Sequence, residues 1–164
     1  MNNVLNMLVT FGAISALFAA CSSVEVPAAA VEVVGDTFVD ANLQRVGTTG
    51  PAVGGSVEVI DLPGTDDIHI QVDATGLPPG PHAWHIHSGT CATTGGIVLA
   101  FTTAGQNQGI DDPIDAGADG RGAEDAHIPA NRMTQQQLTG SPHALHIHAN
   151  VTPPGQSIAC ADLR

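Results

Sequence analysis

The sequence predicts an all-β fold, a sandwich or barrel of short strands, and three observations carry that expectation. Apolar and polar residues alternate with a period of two in runs such as Ser56-Val57-Glu58-Val59-Ile60 and Ile68-His69-Ile70-Gln71-Val72. Between the runs stand segments dense in turn formers, Leu62 to Asp67 and Gly76 to Pro81 among them. No convincing long helix interrupts the pattern beyond the N-terminal stretch, which argues against a mixed architecture.

In chain order, Met1 to Ala20 carries no charged side chain, and its apolar part from Leu8 to Ala20 ends at Cys21. That stretch is too short to span a bilayer as a helix and has the length of an export signal. Small residues ahead of a single cysteine resemble the lipobox of bacterial lipoproteins, so residues 1–20 are expected to be a signal peptide and Cys21 the lipidated first residue. A plain secretory signal is the alternative, and both place the mature chain outside the cytoplasm. Residues 21–35 are small, apolar and proline-bearing, the composition of a tether, and 36–164 are expected to form one domain.

Within that domain, strands are expected at residues 56–60, 68–72, 82–87, 97–101, 123–128, 144–148 and 157–161. Arg132 to Leu138 reads as one or two helical turns. Ala104 to Gly122 reads as a long loop, and its acids Asp111, Asp112, Asp115 and Asp119 lack EF-hand spacing and read as solvated charge.

The chain has 164 residues, sixteen acids, four arginines and no lysine, for a net charge of -12 with histidine neutral. Such a surface is a poor partner for nucleic acid or anionic membranes, so membrane contact is expected only through the N-terminal lipid. Oligomeric state stays open. With Cys21 lipidated, Cys91 and Cys160 remain as an even pair, which reads as a disulfide in an oxidising compartment; thiolate ligation of a soft metal is the alternative.

Histidine carries the chemistry. Six of the eight histidines fall in two matching phrases, Pro81-His82-Ala83-Trp84-His85-Ile86-His87 and Pro142-His143-Ala144-Leu145-His146-Ile147-His148. On an extended strand residues two apart share a face, so His85 pairs with His87 and His146 with His148. If the two strands are neighbours, all four imidazoles come within reach of one ion. His85, His87 and His148, with His146 as a fourth, are therefore the candidate ligands, for copper first and zinc as rival. Neutral rings bonded to one another in a polar corner are the alternative. His82 and His143 are out of phase and are expected to fix strand ends by hydrogen bonding, Trp84 to enter the core, and His69 to be an exposed strand residue. His127 joins the site only if its strand folds back over it.

The segment Gly76 to His87 resembles the copper/zinc superoxide dismutases, in which a glycine-leucine turn leads into a strand bearing two copper histidines, here His85 and His87. Ala144-Leu145-His146-Ile147-His148 resembles the later strand that ends in another copper histidine, here His148. Ile158-Ala159-Cys160 resembles the closing cysteine segment, so Cys91–Cys160 is also the disulfide that the resemblance implies. The likeness covers roughly Ser56 to Leu163 and implies an immunoglobulin-like Greek-key β-sandwich with superoxide as substrate. Two features differ. No histidine lies between His87 and His127, where the family places its bridging and zinc ligands, and Gln156-Ser157 stands where it keeps an arginine. The segments Gly95 to Leu99, His146 to Asn150 and Thr152 to Gln156 are similar also to chordin-repeat-like domains, which implies a non-catalytic metal-binding or structural module.

Overall fold

The computed structural model describes residues 35–48, 52–101, 112–151 and 155–164. The expected signal peptide, Cys21 and the tether up to residue 34 lie outside the described residues, as does Asp111.

Among the described residues the two-residue alternation becomes ten strands: β1 (Asp36–Arg45), β2 (Gly54–Asp61), β3 (Ile68–Thr75), β4 (Gly80–His82), β5 (Trp84–Thr90), β6 (Thr93–Ala100), β7 (Ile114–Ala116), β8 (Gly122–Ile128), β9 (His143–His148) and β10 (Ser157–Asp162). One short helix, α1 (Gln135–Gly140), precedes β9. The fold is all-β, as the sequence predicts. Eight strands form one antiparallel sheet in the order β6-β5-β9-β10-β1-β2-β3-β8, and β4 pairs with β7. The seam between β10 and β1 is narrow, with only Gln44↔Cys160 and Arg45↔Ala159 in register, whereas β2 and β3 pair along their whole length. The sheet curls at this seam, so that two four-stranded halves enclose a common core.

That core draws alternate residues from both halves: Val57, Val59, Ile70 and Val72 from one, Trp84, Ile86, Leu145 and Ile147 from the other. Trp84 is fully buried and stacks on Phe101 at 3.8 Å between ring centroids. Each large apolar side chain sealed this way contributes roughly 1.5–3 kcal/mol. Among the described residues no helix is long and apolar enough to cross a membrane.

Several elements differ from expectation for identifiable reasons. The run 82–87 is two strands, because His82 pairs with Ile114 while Trp84 begins the pairing with β9. That partner, β7, lies inside the stretch expected to be loop; with three residues it is too short to show a period. β6 begins at Thr93, four residues before the expected Ile97, since the two-residue turn Cys91-Ala92 brings Thr93 straight back against Thr90. Gly89, next to that turn, has φ 93°, and a Cβ there would strike the Thr93 carbonyl. The helix is shifted toward Gly140 because Thr134 caps it, exchanging side-chain and backbone bonds with Gln137. The disulfide joins Cys91 to Cys160.

Candidate metal centre

β5 and β9 are antiparallel neighbours, with His85 opposite His146 and Ile86 opposite Leu145. Alternation sends Ile86, Leu145 and Ile147 into the core and turns His85, His87, His146 and His148 onto the other face of the sheet. All four are nonetheless buried, none more than 9 % exposed. The ring centroids of His85 and His148, and of His87 and His146, are 4.8 Å apart.

Hydrogen bonding sorts the four rings. His87 Nδ1 donates to the Gly95 carbonyl at 3.1 Å and His148 Nδ1 to the Gly155 carbonyl at 2.8 Å. A carbonyl only accepts, so in each neutral ring the proton sits on Nδ1 and the lone pair on Nε2. These two Nε2 atoms and His85 Nδ1 are buried without any hydrogen-bond partner. His85, His87 and His148 each offer a ring nitrogen within 4.8 Å of the others. Ligands held about 2.1 Å from one ion stand about 3.4 Å apart in a tetrahedron and about 3.6 Å apart in a plane, so the widest side of this triangle would close by about an ångström on binding. Three buried rings, each with an unpartnered nitrogen and grouped this closely, could hold a metal ion, and imidazole suits copper and zinc alike.

Burial also favours the neutral, ligating form of His85, His146 and His148. Desolvation, reinforced by the neighbouring His148, His87 and His146, pushes the His85 pKa down to about 4. His146 is lowered to about 4 by burial and by His87 and His148, against an upward pull from Asp162. His148 is lowered chiefly by burial, although its bond to Gly155 opposes the shift.

His146, expected as a fourth ligand, stands outside the group of three. Its Nδ1 faces Ser157 Oγ at 2.7 Å and its Nε2 faces Cys160 Sγ at 3.2 Å and Thr94 Oγ1 at 3.3 Å. The reason is its place between β5 and β10: His146 is opposite Cys160 in register, and its ring turns toward that neighbour.

His82 and His143 hydrogen-bond to backbone carbonyls. His82 Nδ1 faces the carbonyl of His148 at 2.8 Å and its Nε2 that of Pro78 at 2.7 Å, and the neutral ring donates to one of the two, at the end of the strand that carries His148. His143 Nδ1 faces the carbonyls of Leu138 and Ser141. His127 is on β8, where its Nε2 bonds Asp67 Oδ2 at 2.9 Å. His69, expected to be exposed, is 6 % exposed on the inner strand β3, in register between Ile60 and His127, and bonds Asp125 Oδ2 at 2.9 Å.

The glycine carbonyls that orient His87 and His148 have no counterpart in the sequence reading. Gly95 lies where the β5–β6 register slips between His87 and Gly89, a bulge that turns its carbonyl toward the His87 ring. Adjacent glycines within an apolar run are the sequence signal for such a bulge. A Cβ at Gly95 would meet the side chain and carbonyl of Ser88.

Compared with known proteins, the chain matches no protein-family model and no curated relative.

Proposed function

We propose that the chain is an exported copper-binding protein of the superoxide dismutase-like kind, with His85, His87 and His148 as ligands. The observation that carries this reading is the group of three buried imidazoles, each with a ring nitrogen that has no partner, brought close by strand pairing, two of them oriented by glycine carbonyls. Bound copper would supply a one-electron couple, the chemistry that disproportionation of superoxide requires. The chain itself holds two ligand rings in a single tautomer, keeps protons off His85 and His148 by burial, and sets His82 Nδ1 against the carbonyl of His148. The Cys91–Cys160 disulfide supports an extracytoplasmic location, with attachment through Cys21 as the proposed anchor. The resemblance to the dismutases adds the Greek-key connectivity and the substrate.

A second reading, a copper- or zinc-binding module without turnover, akin to the chordin-repeat-like domains, is favoured by the acidic charge and by Gln156-Ser157 in place of a guiding arginine. Metal analysis of the protein purified from its native envelope, followed by a superoxide assay, separates the readings. The expected result is about one copper per chain with weak activity, both lost in His148→Ala. A metal-free protein, or activity unchanged in that variant, would overturn the assignment, while bound metal without activity selects the second reading.

A further inference from the structure

We propose that reduction of the Cys91–Cys160 disulfide opens a second metal site, in which the two sulfurs and His146 Nε2 hold a thiophilic d10 ion. The inference is independent of what occupies the three-histidine group. It begins with His146, the one ring of the four that stands outside that group.

Ser157 Oγ is within reach of the Ile147 carbonyl at 3.5 Å and the Ala159 carbonyl at 3.3 Å, and it meets His146 Nδ1 at 2.7 Å. Giving its hydrogen to a carbonyl, the serine accepts from Nδ1, which leaves the lone pair of His146 on Nε2. That nitrogen faces Cys160 Sγ at 3.2 Å, a disulfide sulfur with no hydrogen to donate, and Thr94 Oγ1 at 3.3 Å, whose hydroxyl also reaches the Thr90 carbonyl at 3.5 Å and would yield Nε2 to an ion. A ring nitrogen facing one sulfur, with a second sulfur bonded to the first, brings all three members of a Cys2His ligand set together before any metal arrives. Such sets hold zinc, and soft thiolates also select Cu(I).

The geometry does not depend on the S–S bond alone. The Cys91 amide donates to Asp162 Oδ1 at 2.7 Å, and the Gly89 amide donates to the Pro142 carbonyl at 2.8 Å. Together with the β5–β9 and β9–β10 pairing, these bonds keep the turn that carries Cys91 over β10 when the sulfurs separate. The Asp162 carboxylate also adds negative charge beside His146, which favours a cation there.

The chemistry balances as a dithiol exchange. A cellular dithiol gives two electrons and two protons to the S–S bond, yielding two protein thiols and its own disulfide. Binding of the ion then displaces two thiol protons and forms two metal–sulfur bonds. Reoxidation by a disulfide removes both thiolates and expels the ion.

The test uses the full chain carrying His87→Ala, which disables the three-histidine group. It is titrated with Cd(II), anaerobically, before and after reduction by a phosphine. The expected result is one equivalent of Cd(II) with thiolate charge-transfer absorption in the reduced chain and none in the disulfide form. Adding His146→Gln should weaken binding at least about tenfold while the thiolate band persists. X-ray absorption of the reduced, loaded chain gives a reading that needs no histidine variant at position 146: two sulfurs with an imidazole neighbour support the site. A reduced chain without the thiolate band, two sulfurs without imidazole, or unchanged affinity in His146→Gln would each overturn it.

Discussion

His85 and His146 are the two rings whose protonation the fold opposes most, each with a pKa near 4 where an unperturbed histidine titrates near 6.5. The sign of the consequence follows from proton counting. Between those values the unfolded chain binds protons that the native chain refuses, so native stability rises with pH across the window and is lost as pH falls from about 6.5 toward 4. His148 is displaced in the same direction and adds to the slope. Asp67, lowered first by its bond from the Ala130 amide and further by His127, loses its contribution only at more acid pH. Melting temperatures of the metal-free chain should therefore drop steadily over that interval, with a slope of up to about two or three protons per molecule. A flat profile between pH 6.5 and 5 would contradict the burial of these rings. At this scale the sequence is legible where a period of two is enough: His85, His87 and His148 share a face because strands alternate. It is not legible where neighbouring strands decide, since only the pairing of His146 with Cys160 shows that its ring turns away from the other three, and only the slip at Gly95 shows what orients His87.

The β5–β6 hairpin places one half of the site and its own anchor on the same short piece of chain. Its tip is fastened to β10 by the disulfide, across sixty-nine residues of sequence. In the chain-entropy account, opening a loop of that size costs about 4 kcal/mol, roughly 15 °C in melting temperature for a domain of this length. Replacing both cysteines by serine should reproduce that loss in calorimetry. It should spare the three-histidine group more than the global melt suggests, since His85 and His87 lie in the part of β5 paired with β9. Metal affinity that collapses in step with stability would show instead that the disulfide, and not strand pairing, positions the ligands. The strands themselves are readable from alternation and turn residues, with ends that shift where a cap or a short partner strand intervenes. Thr134 moves the helix toward Gly140, and β7 splits the expected 82–87 strand, because three residues carry no detectable period.

Across the whole molecule, charge is the property that bears most on the proposed activity. Sixteen acids against four arginines give a net charge of -12. Several acids line the outer side of the other half of the sheet, with Asp40 opposite Glu58, Glu58 opposite Gln71 and Gln71 opposite Asp125 in register. An anionic substrate approaching such a body is repelled over distances comparable to the Debye length, about 8 Å at physiological ionic strength and about 30 Å in 0.01 M salt. Enzymes steered by attraction lose rate as salt screens the attraction. Repulsion reverses the sign, so kcat/KM for superoxide should rise as ionic strength is raised from about 0.01 M to 0.15 M. A variant with Gln156→Arg, which adds a cation one residue before Ser157, should both raise the low-salt rate and flatten its salt dependence. A rate that instead falls with salt in the unmodified chain would mean that a local positive path outweighs the field of the whole molecule, and the acidic surface would then have no part in slowing the reaction.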